Sequence, residues 1–311
     1  MTRNIIGLLA LALLPALALA AETPDWAYPV TPKREALDNV VLKSVPGSAK
    51  KYTQAQIDDG FNPPDWFPDE HPPMPAVVAH GSKPVVRACA LCHLPSGDGH
   101  PESSSLAGLP VAYTIQQMAE FKNGGRKGIR AATMIEIAQA ISDADAKAAA
   151  EYFAALKPGV WTKVIETDTV PKSYVGPGGM RFATADGARE PIGNRIIVLP
   201  QDAERAHSRD PHSGFIDYVP PGSIAKGEAL VKTGGGGKTT PCAMCHGINY
   251  KGLGDWPSIA GRPPTYVVRQ LNDMQSGARS GNAMTLMRGV VAKLTMDDMI
   301  AIAAYLGARE P

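Results

Sequence analysis

The feature that most limits what this chain can be is a five-residue motif that occurs twice. Cys89-Ala90-Leu91-Cys92-His93 and Cys242-Ala243-Met244-Cys245-His246 use all 4 cysteines of the 311 residues. A shift of 153 residues lays one motif on the other, and the register then runs without a gap to Tyr152 and Tyr305. Of the 64 paired positions, 19 are identical. That is several times the level of unrelated sequence, so the two halves read as a duplicated unit.

The chemistry of the motif depends on where the chain works. It opens "MTRNIIGLLALALLPALALAAE", with Arg3 as a positive start, an apolar run from Ile5 to Leu17 and a small-x-small site at Ala18-Leu19-Ala20. This is the pattern of a cleaved export signal, residues 1–20. The run is shorter than the ~20 residues of a membrane span, and no later segment of the mature chain is apolar enough to cross a bilayer. The expected location is an oxidising compartment outside the cytoplasm, the periplasm of a bacterium.

Paired cysteines in such a compartment default to disulfides. A disulfide framework, however, explains neither the repeated two-residue spacing nor the histidine after each pair. A thioredoxin-like centre needs a strand before the motif and a helix after it, and no such pattern surrounds either copy. A four-cysteine zinc site leaves His93 and His246 idle. Covalent haem uses every member: two thioether bonds fix the porphyrin edge, and the adjacent histidine ligates the iron. The expected cofactors are therefore two covalently bound haem c groups, on Cys89 and Cys92 and on Cys242 and Cys245, with His93 and His246 on the irons.

The repeat also locates the second axial ligands. Met134 and Met287 are the one methionine pair in register between the motif and the final helix, each 41 residues after its histidine. Met118 pairs with Leu271 on an amphipathic stretch and reads as core. Met284 pairs with Ala131 and stays open as a substitute for Met287. Around these residues the pattern is helical in both copies. Pro110 and Pro263 precede helices that stop at Gly124 and Gly277. "SDAD" and "TMDD" open the last helices, with Ser142 and Thr295 as caps and Asp145 and Asp298 reaching back.

Cys-x-x-Cys-His, an "LAG" or "IAG" turn, "GGR" or "GAR", a methionine, and a closing helix with "AEYF" or "AAYL" together resemble the class I cytochromes c. Two such units in tandem are similar to the dihaem cytochrome c4 group. The resemblance covers the paired positions of each half and implies an all-α fold, His–Met ligation and transfer of single electrons. It also implies that Arg126 and Arg279 lie at the haem edges and pair with propionates; a solvated arginine after a glycine turn is the plain alternative. In the family a proline carbonyl accepts the proximal histidine N–H. Pro257 stands at that place, whereas the first copy has Ser104, so the contact there rests on backbone alone.

The expected division is a Pro- and Trp-rich extension over 21–79, a first cytochrome c domain over 80–158, an inter-domain segment over 159–220 and a second domain over 221–311. The extension, with much of the chain's 28 prolines, cannot build a regular core helix. It is expected to drape over a haem domain or dock a partner. The second domain has a helical lead-in, "SIAKGEALVKTG", where the first has "EHPPMPAVV", so the first is expected to borrow packing. In the inter-domain segment only "NRIIVLP" reads as a strand. With 31 Lys and Arg against 30 Asp and Glu, the charge gives no reason to expect a nucleic-acid partner.

Irons bound by His and Met on both faces have no open position, which points to an electron carrier rather than an enzyme. Its expected partners are redox proteins, a dehydrogenase as donor and an oxidase or another cytochrome as acceptor, met as a free carrier or as the cytochrome subunit of a dehydrogenase or oxidase complex. The alternative is a dihaem cytochrome c peroxidase, in which one iron must open; His71, His80 or His100 would then serve the first iron. The loop behind His93, "LPSGDGHPESSS", is polar and is expected to leave the first haem edge poorly covered and its potential the lower. Ile248, Tyr250, Leu253 and Trp256 are expected to shield the second. Cover of the first haem by Trp26 or Trp66 of the extension would erase that contrast.

Overall fold

Residues 23–33 and 36–311 are described by the computed structural model, Ala283 by its backbone alone. The export signal expected over residues 1–20 lies outside the described residues. Among them, no helix is long and apolar enough to cross a membrane.

In chain order the extension contributes two single turns, α1 (Gln54–Ile57) and α2 (Ala76–Ala79). The first repeat follows with α3 (Cys89–His93), α4 (Val111–Lys122), α5 (Ala132–Ala140) and α6 (Asp143–Ala155). Then come β1 (Thr162–Glu166), β2 (Thr169–Pro171), β3 (Ser173–Val175), β4 (Arg181–Ala183), β5 (Arg189–Pro191), β6 (Ile197–Pro200), α7 (Ala203–His207) and β7 (Phe215–Val219). The second repeat holds α8 (Ser223–Thr233), α9 (Ala243–His246), α10 (Pro264–Ser276), α11 (Thr285–Val291) and α12 (Met296–Gly307).

The helix ends are where the sequence places them. Pro110 and Pro263 sit at the N-caps of α4 and α10, where a missing N–H costs nothing. Gly277 closes α10 in the left-handed conformation at φ 80°. Ser142 caps α6 by accepting from the Asp145 N–H, and Thr295 and Asp298 cap α12 reciprocally.

In the second repeat α12 packs along α8 and α10. The closest approach is at Gly227 of α8, where an added Cβ would strike the Ala301 carbonyl. In the first repeat the register places Met74 there; α6 packs on α4, and in place of a helix like α8 it has the single turn α2. Prolines at 72, 73 and 75 keep anything longer from forming. The missing cover comes from elsewhere, as expected. His71 of the extension stands edge-on to Tyr152 at 6.2 Å. Trp66 is buried among Val45 and Ile57, and its indole Nε1–H donates to the Ser208 carbonyl at 2.7 Å.

The expectation of an all-α chain needs correction. Both repeats are helical, but the segment between them carries the seven strands of the described residues. β7 is the centre of a three-stranded sheet, parallel to β1 and antiparallel to β6, and β2 with β5 and β3 with β4 form two separate antiparallel pairs. β6 is the strand expected in "NRIIVLP". The others are three to five residues long, too short for alternation to stand out in sequence. Along β7, Phe215, Asp217 and Val219 point inward by the two-residue period.

Candidate haem-binding site

The two attachment motifs adopt the same local structure. Each forms one helical turn, in which residues three apart share a face, so both cysteines of a pair point the same way. None of the four is in a disulfide. Burial pushes the Cys89 and Cys242 thiols up to about 12. That is far from the depressed thiolates of redox dithiol centres.

Directly after each histidine the chain reverses through positive φ: Leu94 at 61° and Gly247 at 75°. Glycine does this freely. Leucine does so at a cost that its complete burial helps to offset. The reversal brings the following loop back over the histidine. Gly99 N–H donates to the His93 carbonyl at 3.0 Å, and Gly252 N–H to that of His246 at 2.8 Å. Leu106 and Ala107 then bond the Gly97 carbonyl just as Ile259 and Ala260 bond that of Tyr250.

The loop delivers a carbonyl to each imidazole. Nδ1 of His93 lies 2.8 Å from the Ser104 oxygen, and Nδ1 of His246 lies 2.8 Å from the Pro257 oxygen. An Nδ1–H given to a carbonyl fixes the tautomer and leaves the Nε2 lone pair free for a metal. Burial lowers both imidazole pKa values despite that bond, and Arg126 lowers that of His93 further. Both shifts favour the neutral ring, the form that can ligate a metal.

Met134 and Met287 each occupy the third position of their helices, α5 and α11, and are half-buried. Met284 lies in the tight turn before α11 and is buried. The apolar core of the first repeat is in two parts. One, with Val77, Ala90, Tyr152 and Phe153, adjoins Cys89; the other, with Phe121, Ala131 and Ala138, holds Met134 and Met118. A flat apolar group tied at Cys89 and Cys92, with His93 and Met134 on its faces, suits this division.

Arg126 and Arg279 meet at the seam between the repeats, their backbones forming a short antiparallel bridge. Arg126 donates to Gln117 Oε1 at 3.0 Å in its own half, and to Gln270 Oε1 at 2.9 Å and the Tyr266 hydroxyl at 3.2 Å in the other. Arg279 mirrors it, donating to Gln270 at 3.0 Å, to Gln117 at 2.7 Å and to the Tyr113 hydroxyl at 3.0 Å. Every member maps onto its counterpart by the repeat shift, so the seam has a pseudo-twofold axis. Sequence reasoning named the arginines but not Tyr113, Gln117, Tyr266 and Gln270. Their identity across the repeat was the signal that could have found them.

Cover of the two attachment turns departs from expectation at the first turn and in part at the second. The polar loop behind His93 is buried, with Leu94, Asp98 and His100 all inaccessible. Its lid is the inter-domain segment and the second repeat. Gly159 N–H bonds Asp98, Phe215 meets the His100 ring edge-on, and Arg262 and Arg269 donate to the Ser105 and Pro101 carbonyls. Arg209 Nη1 donates to the Leu91 carbonyl at 2.7 Å while its other nitrogens grip Asp58 of the extension at 2.7 and 3.1 Å. At the second turn Tyr250 is buried and the half-buried Trp256 stands edge-on to His246 at 6.4 Å, as expected, but Ile248 and Leu253 are exposed.

No family model matches this chain. It is 26% identical over 230 residues to a protein named thiosulfate dehydrogenase electron acceptor of Thiomonas intermedia, covering 73% of this chain and 80% of that one. It is 26% identical over 223 residues to a cytochrome c4 of Pseudomonas aeruginosa, covering 70% and 82%. A cytochrome c-554(548) of Halomonas halodenitrificans is 31% identical over 90 residues, 29% of this chain and 99% of that one. One whole cytochrome thus matches a stretch the length of a single repeat, and dihaem relatives span both. The chain belongs to the dihaem class I cytochromes c.

Proposed function

We propose that this chain is a periplasmic carrier of single electrons, with one haem in each repeat. The reading assigns thioether attachment to Cys89 and Cys92 and to Cys242 and Cys245, proximal ligation to His93 and His246, and distal ligation to Met134 and Met287. The observation that carries it is the matched imidazole–carbonyl bond at His93 and His246, with a methionine in register at the same remove from each. Haem iron, when bound, supplies a one-electron couple whose potential depends on axial ligand, burial and hydrogen bonding. The chain's own part is to hold each imidazole neutral and oriented, and to keep water from the ring. Arg126 and Arg279 sit at the seam, where propionate edges from both halves would meet the same pair of guanidinium groups.

Residues 21–79 and 159–220 are read as additions to two cytochrome c units over 80–158 and 221–311. With both axial positions filled by the chain, no iron is left to bind a substrate, and the protein acts on other redox proteins rather than as an enzyme. The name of the Thiomonas relative supports a dehydrogenase as donor; an oxidase or another cytochrome suits as acceptor. Intact mass after acid extraction tests the reading: the mature chain plus two haem masses is expected. A chain without haem, or one holding zinc, would overturn it.

A further inference from the structure

The two attachment turns of this chain are equivalent in sequence register and opposite in surroundings. Leu91 and His100, at 6% exposure each, correspond across the repeat to Met244 and Leu253, at 69% and 58%. Pro95, also buried, corresponds to Ile248 at 86%. The first turn is closed by Arg209 and Phe215 of the inter-domain segment. Nothing in the described chain plays that part at the second. An apolar group of this kind around a functional residue marks a contact surface rather than stray exposure.

We infer that the second repeat is the single docking port of this protein, and that the port receives a redox protein presenting its cofactor edge in an apolar face of low charge. The inference rests on the reading of His246 as a haem ligand. Two observations define the occupant. Three side chains offer at most a few hundred Å², well below the ~800 Å² per partner of a stable interface, and within the range of brief redox encounters. An apolar centre of this size suits a brief encounter rather than a second copy held permanently. The charged residues within the loop, Lys251 and Asp255, are both exposed and of opposite sign. They give no net field to steer an acidic or a basic partner, so complementarity must be apolar. The first haem, closed at the same edge, then exchanges electrons with partners only by way of the second.

Ile248→Glu and Leu253→Glu place a carboxylate in the port without touching a buried group. Ile129→Glu and Val160→Glu do the same on exposed apolar residues away from it. The probe is a small blue-copper protein whose copper histidine opens in an apolar face, mixed with the reduced dihaem protein in a stopped-flow instrument. The expected result is a fall of roughly tenfold in the second-order rate for the two port variants and no change for the two controls. Reduction by ascorbate, which needs no docking, should stay the same in all five proteins. An equal loss in the controls, or no loss in the port variants, overturns the inference. So does light scattering that shows a wild-type dimer broken by Ile248→Glu, since the occupant would then be a second copy. Haem content measured on the same samples separates these outcomes from a failure of haem assignment itself.

Discussion

Arg126 and Arg279 face each other across the seam of the molecule, and each spends its strongest bond on the glutamine of the opposite half. Arg126 reaches Gln270 at 2.9 Å and Arg279 reaches Gln117 at 2.7 Å. The seam is thus built from one set of three side chains used twice. Arg279 is the more buried of the two, so its removal leaves more polar atoms stranded. Arg279→Ala is expected to lose about 2–3 kcal/mol in denaturant unfolding, the cost of unpaired buried partners. Arg279→Lys should recover less than half, because an ammonium cannot fork to Gln117, Gln270 and Tyr113 together.

The methionine assignment has a direct spectroscopic test. Met134→Ala should open one iron to rapid binding of cyanide or carbon monoxide while the other stays low-spin. Met287→Ala should open the other iron, and Met284→Ala neither. Ligand binding to Met284→Ala but not to Met287→Ala would exchange the roles of those two residues.

Asp217 supplies a pH test outside the haem sites. It lies on the central strand of the sheet, fully buried, and neither carboxyl oxygen has a hydrogen-bond partner within the described chain. Burial raises its pKa well above the ordinary carboxylate value, so the folded state binds a proton that the unfolded state releases. Stability should therefore fall as pH rises above the unfolded value of ~3.9 and level off once the folded group ionises. Asp217→Asn should remove that slope. At pH 7 it should gain on the order of 1–2 kcal/mol relative to wild type, within the range of burying an unpaired polar group. Thermal or denaturant unfolding at several pH values between 4 and 8 provides the measurement.

The order of reduction potentials follows from cover. Water around a haem favours the ferric state and lowers the potential. The loop behind His93 is sealed and has Arg209, Arg262 and Arg269 bonded around it, whereas the second turn is open. The first haem is expected to have the higher potential, opposite to what the polar loop sequence alone suggests. A redox titration of wild type beside Met134→Ala assigns each wave. A single wave, or a lower potential for the first haem, would refute the ordering.

Much of this was legible before any coordinates, for a physical reason. Attachment motif, proximal histidine and helix caps are local in sequence, and the repeat doubles each signal. The repeat register points to the Pro257 carbonyl as the partner of His246 and to the Ser104 backbone as that of His93, and both bonds are present. What escaped is non-local. Trp66 reaches Ser208 and Arg209 reaches Leu91 across more than a hundred residues, and no pattern near either residue announces it. Of the central sheet only β6 is legible; β1 escapes because its partner β7 lies 53 residues away. The polarity of the loop behind His93 was read as exposure, when its serines, carbonyls and Asp98 are bonding partners for arginines and amides brought from elsewhere.

The grip of Arg209 on the Leu91 carbonyl also sets a sequence of events in time. Thioether formation needs both sulfurs of a pair to be reachable by haem and by whatever machinery joins them. Leu91 lies between the two cysteines of the first motif, and the residue that closes over it is 118 positions further along the chain. Joining of the first haem is therefore expected to be easier before residues 200–219 fold back over this motif, whereas the second motif keeps Met244 at the surface. A molecule that completes its inter-domain sheet early is expected to load its first haem slowly, and a half-loaded population is the defect to look for when the protein is produced faster than it is matured.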